Sequence, residues 1–122
     1  MKVLLVDDNT LIRKIVRAAL EAEGFACAEA ASGAEALGAC SGDVPDACLL
    51  DLNLPDMDGL AVLKGLKAQD ATRGVRVYIL SGSADPDLPA KARLLGAEGC
   101  LAKPLSATAL AVRLKATCGS AH

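Results

Sequence analysis

Residues 46–59 read DACLLDLNLPDMDG. The first half is a short apolar run ending at Leu50, the pattern of a strand covered on both faces in a parallel sheet. From Asp51 onward, Asp51, Asn53, Asp56 and Asp58 are threaded between Leu52, Leu54 and Met57, with Pro55 and Gly59 as turn signals. Apolar residues then recur at Leu60, Leu63 and Leu66, the spacing of a helix with one inward side. A strand, an acidic turn and a helix in that order form a βα unit. The question it poses is why a buried strand ends on a carboxylate.

The same unit recurs on both sides. KVLLV at residues 2–6 reads as a buried strand. A helix over residues 10–23 follows, with Leu11, Ile12, Ile15, Val16, Ala19 and Leu20 on one face, Asn9 as N-cap and Gly24 as the C-terminal stop. FACAEA at 25–30 is a weaker strand, and Ser32 with Glu35 is a capping-box signal for a helix at about 33–41. VRVYIL at 75–80 is the fourth strand, and Asp85 with Pro86 forms an N-cap and first-turn pair for a fourth helix. EGCLA at 98–102 is the fifth strand. Ala107, Leu110, Ala111, Leu114 and Cys118 then lie on one helical stripe capped by Ser106. Five strands alternating with five helices imply a doubly wound parallel sheet covered on both faces. The 122 residues suit one domain, taken as residues 1–118 with a short tail at 119–122.

Composition narrows the function. Apolar residues make up 52% of the chain, which argues against disorder. The net charge is −2, no basic stripe is visible, and Phe25 and Tyr78 are the only aromatics, so neither a nucleic-acid surface nor a base-stacking platform is expected. Cys27, Cys40, Cys48, Cys100 and Cys118 are odd in number and lack metal-site spacing, so they read as small hydrophobes in a reducing compartment. No apolar run is long enough to span a bilayer, and Asp7 and Asp8 interrupt any signal-peptide core. The expectation is a cytoplasmic protein with no membrane contact.

The polar residues fall at strand ends. The first strand is followed by Asp7 and Asp8, the third by Asp51, the fourth by Ser81 and the fifth by Lys103. Taken singly, each has an ordinary role as helix cap, turn residue, loop hydroxyl or surface charge. Together they occupy equivalent topological positions, and a strand order of 2-1-3-4-5 would gather all of them in one crevice. Three carboxylates brought together repel by about 4 kcal/mol per pair at 4 Å and an effective dielectric of 20. A positive group is therefore expected among them. Mg2+ takes oxygen ligands, commonly one or two carboxylates plus waters and a phosphate, and a lysine supplies a point charge for a phosphoryl oxygen. Three carboxylates, a divalent cation and Lys103 balance to neutrality, so phosphorylating one carboxylate would upset that balance and could drive a conformational switch.

VDDN at 6–9, LLDLNLPDMDG at 49–59, LSGS at 80–83 and LAKP at 101–104, in this order and spacing, resemble a two-component response regulator receiver domain of the single-domain chemotaxis-regulator type. The resemblance covers about residues 2–118 and implies a flavodoxin-like (βα)5 fold with strand order 2-1-3-4-5. It implies that Asp51 accepts a phosphoryl group from a sensor histidine kinase or phosphotransfer protein. Asp8 is then the direct Mg2+ ligand, Asp7 acts mainly through water, and the backbone carbonyl of Asn53 completes the set, with Mn2+ able to substitute. Ser81 becomes the switch hydroxyl. Lys103 pairs with the phosphoryl group, and its bond to Pro104 is expected cis. Asn53 and Ser83 flank the site and tune the lifetime of the phosphorylated state. The chain would act as a signalling phosphoacceptor, catalysing only its own phosphorylation and slow dephosphorylation. Its output would run to a protein partner through the face of the fourth helix, fifth strand and fifth helix, as a monomer or a weak phosphorylation-linked dimer.

Two positions depart from the family pattern. Leu101 stands where Tyr or Phe usually reports movement of the switch hydroxyl, so a smaller or differently routed change is expected. Asp56 stands where Gly is common in the turn, and Asp tolerates left-handed backbone better than most residues. Rival chemistries fit poorly. A haloacid-dehalogenase-like phosphatase needs an acid where Asn53 stands. An EF-hand counted from Asp51 meets Pro55, Asp56 and Val62 at its fifth, sixth and twelfth positions. A flavodoxin would place a phosphate loop where Asp7 and Asp8 would repel it. A receiver serving only as a binding scaffold would need an inert Asp51.

Overall fold

The computed structural model describes residues 1–82 and 85–102, together with Val112 and Leu114. Within them β1 (Lys2–Val6), α1 (Thr10–Ala22), β2 (Ala26–Ala30), α2 (Gly33–Gly42), β3 (Ala47–Asp51), α3 (Gly59–Ala68), β4 (Arg76–Ser81), α4 (Leu88–Leu94) and β5 (Gly99–Ala102) follow one another. All strand pairings are parallel and the order is β2-β1-β3-β4-β5. This is the doubly wound flavodoxin-like sheet expected from the alternation. The fifth helix, with its expected cap Ser106, falls almost wholly outside the described residues. Val112 and Leu114 are helical, the first 61% exposed and the second buried.

Strand alternation divides the core. Leu4, Val6, Cys48, Leu50, Val77 and Ile79 face the side covered by α2, α3 and α4. Val3, Leu5, Ala47, Leu49 and Tyr78 face the other side, with Leu20 of α1, Leu101 and Leu114. The central strands are buried along their length because both sides are covered. β2, at the edge, is more open, which is why its pattern was weaker.

Local chemistry sets the boundaries. Asn9 Oδ1 accepts from Ile12 N at 3.1 Å and opens α1, and Gly24 closes it with φ +95°. Ser32 Oγ accepts from Glu35 N at 3.2 Å, and Asp58 Oδ1 accepts from Leu60 N at 2.6 Å. Two expectations need correction. α1 was read with Leu11, Ile12 and Ile15 on its packed face, yet they are 69%, 41% and 57% exposed. Val16, Ala19 and Leu20 of that stripe do turn inward, and Arg13 joins them, its side chain 11% exposed and paired with Glu29 on β2. The fourth helix was expected to open on Asp85 and Pro86. Asp85 Oδ1 instead accepts from Asp87 N at 2.9 Å in a separate turn, and α4 begins at Leu88 with Pro89 in its first turn.

Candidate functional site

Register places the acids. Val6 pairs with Leu50, so the next step along both strands sets Asp7 beside Asp51. Carboxylate oxygens of Asp7, Asp8 and Asp51 lie within 4.8 Å of one another. Asp7 and Asp51 are buried and Asp8 is exposed, so the cluster opens to solvent on one side. Its donors are all hard oxygens and suit a hard divalent cation.

The backbone around Asp51 is held closely. Leu52 N donates to Leu80 O at 2.9 Å, which extends the β3–β4 ladder past Asp51. Asn53 N donates to Asp51 Oδ1 at 3.3 Å, and Asn53 bridges Asp58 across the turn. Gly59 N donates to Leu52 O at 2.7 Å. A Cβ at Gly59 would lie 2.5 Å from the Asp51 carbonyl oxygen, so glycine is required there by close approach.

Asp56 does not adopt a left-handed backbone; among the described residues only glycines have positive φ. It does a different job. Its carboxylate accepts from Gly33 N at 2.8 Å and Ala34 N at 2.9 Å, capping α2 from a distant turn. These bonds, the one from Ala34 foremost, hold its pKa below the usual carboxylate value. The turn after Asp51 is thereby tied to the start of α2.

Ser81 ends β4, buried, one register step beyond Leu80, which pairs with Asp51. Leu101 lies on β5 opposite Leu80 and is 8% exposed within the same apolar cluster as Tyr78. Lys103, Pro104 and Ser83 lie outside the described residues. The structure thus brings together Asp7, Asp8, Asp51 and the turn carrying Asn53, with Ser81 on the adjacent strand end.

The sequence reading missed Arg13 and Glu29. Glu29 Oε1 accepts from Arg13 Nε at 3.1 Å, while Oε2 accepts from Lys14 Nζ at 3.0 Å and Arg17 Nη1 at 2.9 Å. These partners, Arg17 first and then Lys14, pull the Glu29 pKa down to about 2. Arg17 is held above its ordinary value by Glu29 and Glu21. The available signal was a glutamate inside a strand whose neighbouring helix carries basic residues at positions 13, 14 and 17. Of the cysteines, Cys40 and Cys48 are buried, Cys27 and Cys100 half-buried, and Cys118 lies outside the described residues.

The family described as the response regulator receiver domain matches residues 3–115. The chain is similar to the transcriptional regulatory protein PrrA of Mycobacterium tuberculosis, at 36% identity over 94% of this chain and 48% of that protein. It is also 36% identical to the sporulation initiation phosphotransferase F of Bacillus subtilis, over 84% of this chain and 82% of that one. The chain therefore spans about half the length of the first of these relatives and most of the second. Among solved structures, the CheX–CheY–BeF3–Mg complex of Borrelia burgdorferi contains a chain that superposes with a TM-score of 0.88 at 28% identity, covering 96% of this chain and 88% of that one. With a match running almost end to end and an acidic cluster at the strand ends where the motifs fall, the chain belongs to the response regulator receiver domain family.

Proposed function

We propose that the chain is a signalling phosphoacceptor in a two-component system or phosphorelay, with Asp51 as the acceptor. The observation that carries this reading is the Asp7, Asp8 and Asp51 cluster, with oxygens within 4.8 Å at the ends of adjacent strands. A carboxylate oxygen of Asp51 attacks the phosphorus of a phosphohistidine on a sensor kinase or phosphotransfer protein. The new P–O bond forms as the P–N bond breaks, and the imidazole leaves. The names of the two similar proteins given above, a phosphotransferase and a transcriptional regulator, fit this class of chemistry.

Asp7, Asp8 and Asp51, with the backbone carbonyl of Asn53, would hold Mg2+, or Mn2+ in its place. A cation bound there supplies charge neutralisation at the phosphoryl oxygens. The chain's own residues do the positioning. The β3–β4 ladder and Gly59 fix the main chain of Asp51. Ser81, buried at the end of β4, is the hydroxyl that turns toward a phosphoryl oxygen. Lys103, outside the described residues, is assigned to pair with the phosphoryl group. Addition of the phosphoryl dianion shifts the population between two conformations. Because Leu101 is a buried aliphatic side chain, that shift runs through packing around β5 and not through rotation of an aromatic ring.

The output partner is a protein that reads the face of α4, β5 and the fifth helix, where Leu94 is 86% exposed. We assign the chain to the cytoplasm, as a monomer or weak phosphorylation-linked dimer, without nucleic-acid contact of its own. No helix among the described residues is long and apolar enough to cross a membrane. Turnover is confined to the chain's own phosphorylation and slow dephosphorylation.

The test uses a small acyl-phosphate donor and intact mass. A phosphoryl adduct should form with Mg2+, fail with a chelator, and fail in Asp51→Asn. An adduct of equal yield in Asp51→Asn overturns the assignment.

A further inference from the structure

Both main-chain groups of Asp7 are tied to β2. Its N–H donates to the carbonyl of Ala30 at 3.1 Å. Its carbonyl oxygen accepts from Nη1 of Arg13. The same guanidinium donates through Nε to Glu29 Oε1 at 3.1 Å, and the Arg13 and Glu29 side chains are each only 11% exposed. Residues 29 and 30, neighbours on one strand, thus hold the two ends of the Asp7 residue, one directly and one through Arg13. The Asp7 carboxylate in turn accepts from Asn9 N at 2.9 Å.

We infer that Arg13, braced by Glu29, is a positioning residue for the divalent cation, acting through the carbonyl of Asp7. The inference rests on the proposed cation site and adds a residue that makes no contact with the ion. Carboxylates within 4.8 Å repel one another, so without restraint the turn carrying Asp7 and Asp8 relaxes outward. Restraint of that turn before the cation arrives lowers the ordering cost of binding. Arginine suits the task because its planar fork reaches a carbonyl and a carboxylate at once, whereas a lysine ammonium on a flexible stem does not fix both.

The sign of the effect separates positioning from simple electrostatics. Arg13 is cationic, so removing its charge would by Coulomb's law tighten binding of a nearby cation. Positioning predicts the opposite. Arg17 supplies the control, because it also pairs with Glu29, at 2.9 Å, but no Arg17 bond to Asp7 is present among the described contacts.

The experiment is a calorimetric Mg2+ titration of the full chain, well below its unfolding temperature, with amide chemical shifts recorded in parallel. In Arg13→Met, Mg2+ affinity should fall roughly ten-fold, as for other outer-shell partners of metal ligands. The shift changes in the metal-free protein should centre on residues 6–9. Arg17→Met should stay within about two-fold of the parent, and Arg13→Lys should fall between the parent and Arg13→Met. If Arg13→Met binds Mg2+ as tightly as the parent or more tightly, or if Arg13→Met and Arg17→Met weaken it equally, the inference is wrong. Should Arg13→Met not fold, Arg13→Lys decides: affinity below that of Arg17→Met supports the inference, and equal affinity overturns it. Failure of the parent chain to bind Mg2+ would instead remove the cation site itself, and this inference with it.

Discussion

Gly59→Ala places one methyl group against the main chain of the proposed phosphoacceptor. The new Cβ would sit 2.5 Å from the Asp51 carbonyl oxygen and 2.9 Å from Leu52 Cα. Ordinary contact begins near 3.4 Å, so the start of α3 and the end of β3 must part by about 0.9 Å. No side-chain rotamer can absorb this, since both opposing atoms are backbone. Overpacking of this kind costs about 1–3 kcal/mol, and the upper end applies here. Alanine recovers about 0.4–1 kcal/mol by restricting the unfolded chain. The net loss is about 2 kcal/mol, which leaves a domain of ordinary stability folded. In urea the midpoint should fall by about 1 M with an unchanged slope. The functional loss should be larger, because a displacement near 1 Å at a reacting group can cost about 100-fold in rate. The assay is phosphorylation from an acyl-phosphate donor at saturating Mg2+, followed by intact mass. Gly38→Ala is the control: nothing lies within 4 Å of its Cβ, and it should gain about 0.5–1 kcal/mol in the exposed helix. Gly33→Ala should cost less than Gly59→Ala, because the facing atoms belong to the movable Met57 side chain and Val62. A Gly59→Ala protein as stable as Gly38→Ala, or phosphorylated at the parent rate, would show that the close approach does not position Asp51.

Neutralising one acid of the cluster should stabilise the metal-free fold: Asp8→Asn should gain about 1–3 kcal/mol in the presence of chelator, an advantage that disappears at high Mg2+, read from paired urea curves. Glu29 titrates near 2 in the folded chain against an ordinary 4.5, so its contribution is complete above about pH 4.5 and lost as the pH falls toward 2. Glu29→Gln should therefore trail the parent by about 1 kcal/mol at neutral pH and converge with it at low pH; a gap that stays constant with pH would contradict the ion-pair account. Asp56→Ala should lower the urea midpoint by removing the cap on α2, with Asp56→Asn milder, and hydrogen exchange at Gly33 and Ala34 should rise. Burial raises the Cys48 thiol pKa strongly, so alkylation of the native protein should spare Cys48 while Cys27 and Cys100 react.

The central strands were legible because each is covered on both sides, and continuous apolar runs such as KVLLV have few other readings. Strand ends were legible for the same reason: Asp51 is conspicuous where Leu49 and Leu50 stop. α1 was misread because its apolar stripe and its packed stripe are not the same. Leu11 and Ile15 are exposed while Arg13 is drawn in beside Val16 and Leu20, and its partner Glu29 lies on another element. Asp56 was misread in the same way. Its local sequence spoke of turn backbone, but its partners are amides some twenty residues earlier. Asp85 bonds within its own turn, so a cap motif was present and the helix began later. Long-range pairing of charged side chains is set by register, which periodicity does not encode. The acidic cluster was easier to foresee because each acid directly follows the apolar run of its strand: with β1 and β3 parallel neighbours and Val6 paired with Leu50, the strand ends align and Asp7 lies beside Asp51.

The most direct measurement maps the phosphoryl group to a residue. The chain is phosphorylated with an acyl-phosphate donor and Mg2+, reduced with borohydride to convert an aspartyl phosphate to homoserine, digested, and sequenced by tandem mass spectrometry. The account predicts homoserine at position 51 and at no other aspartate, dependent on Mg2+. Homoserine at position 7 or 8, or no reduced aspartate in a protein shown to be folded and Mg2+-loaded, would contradict it.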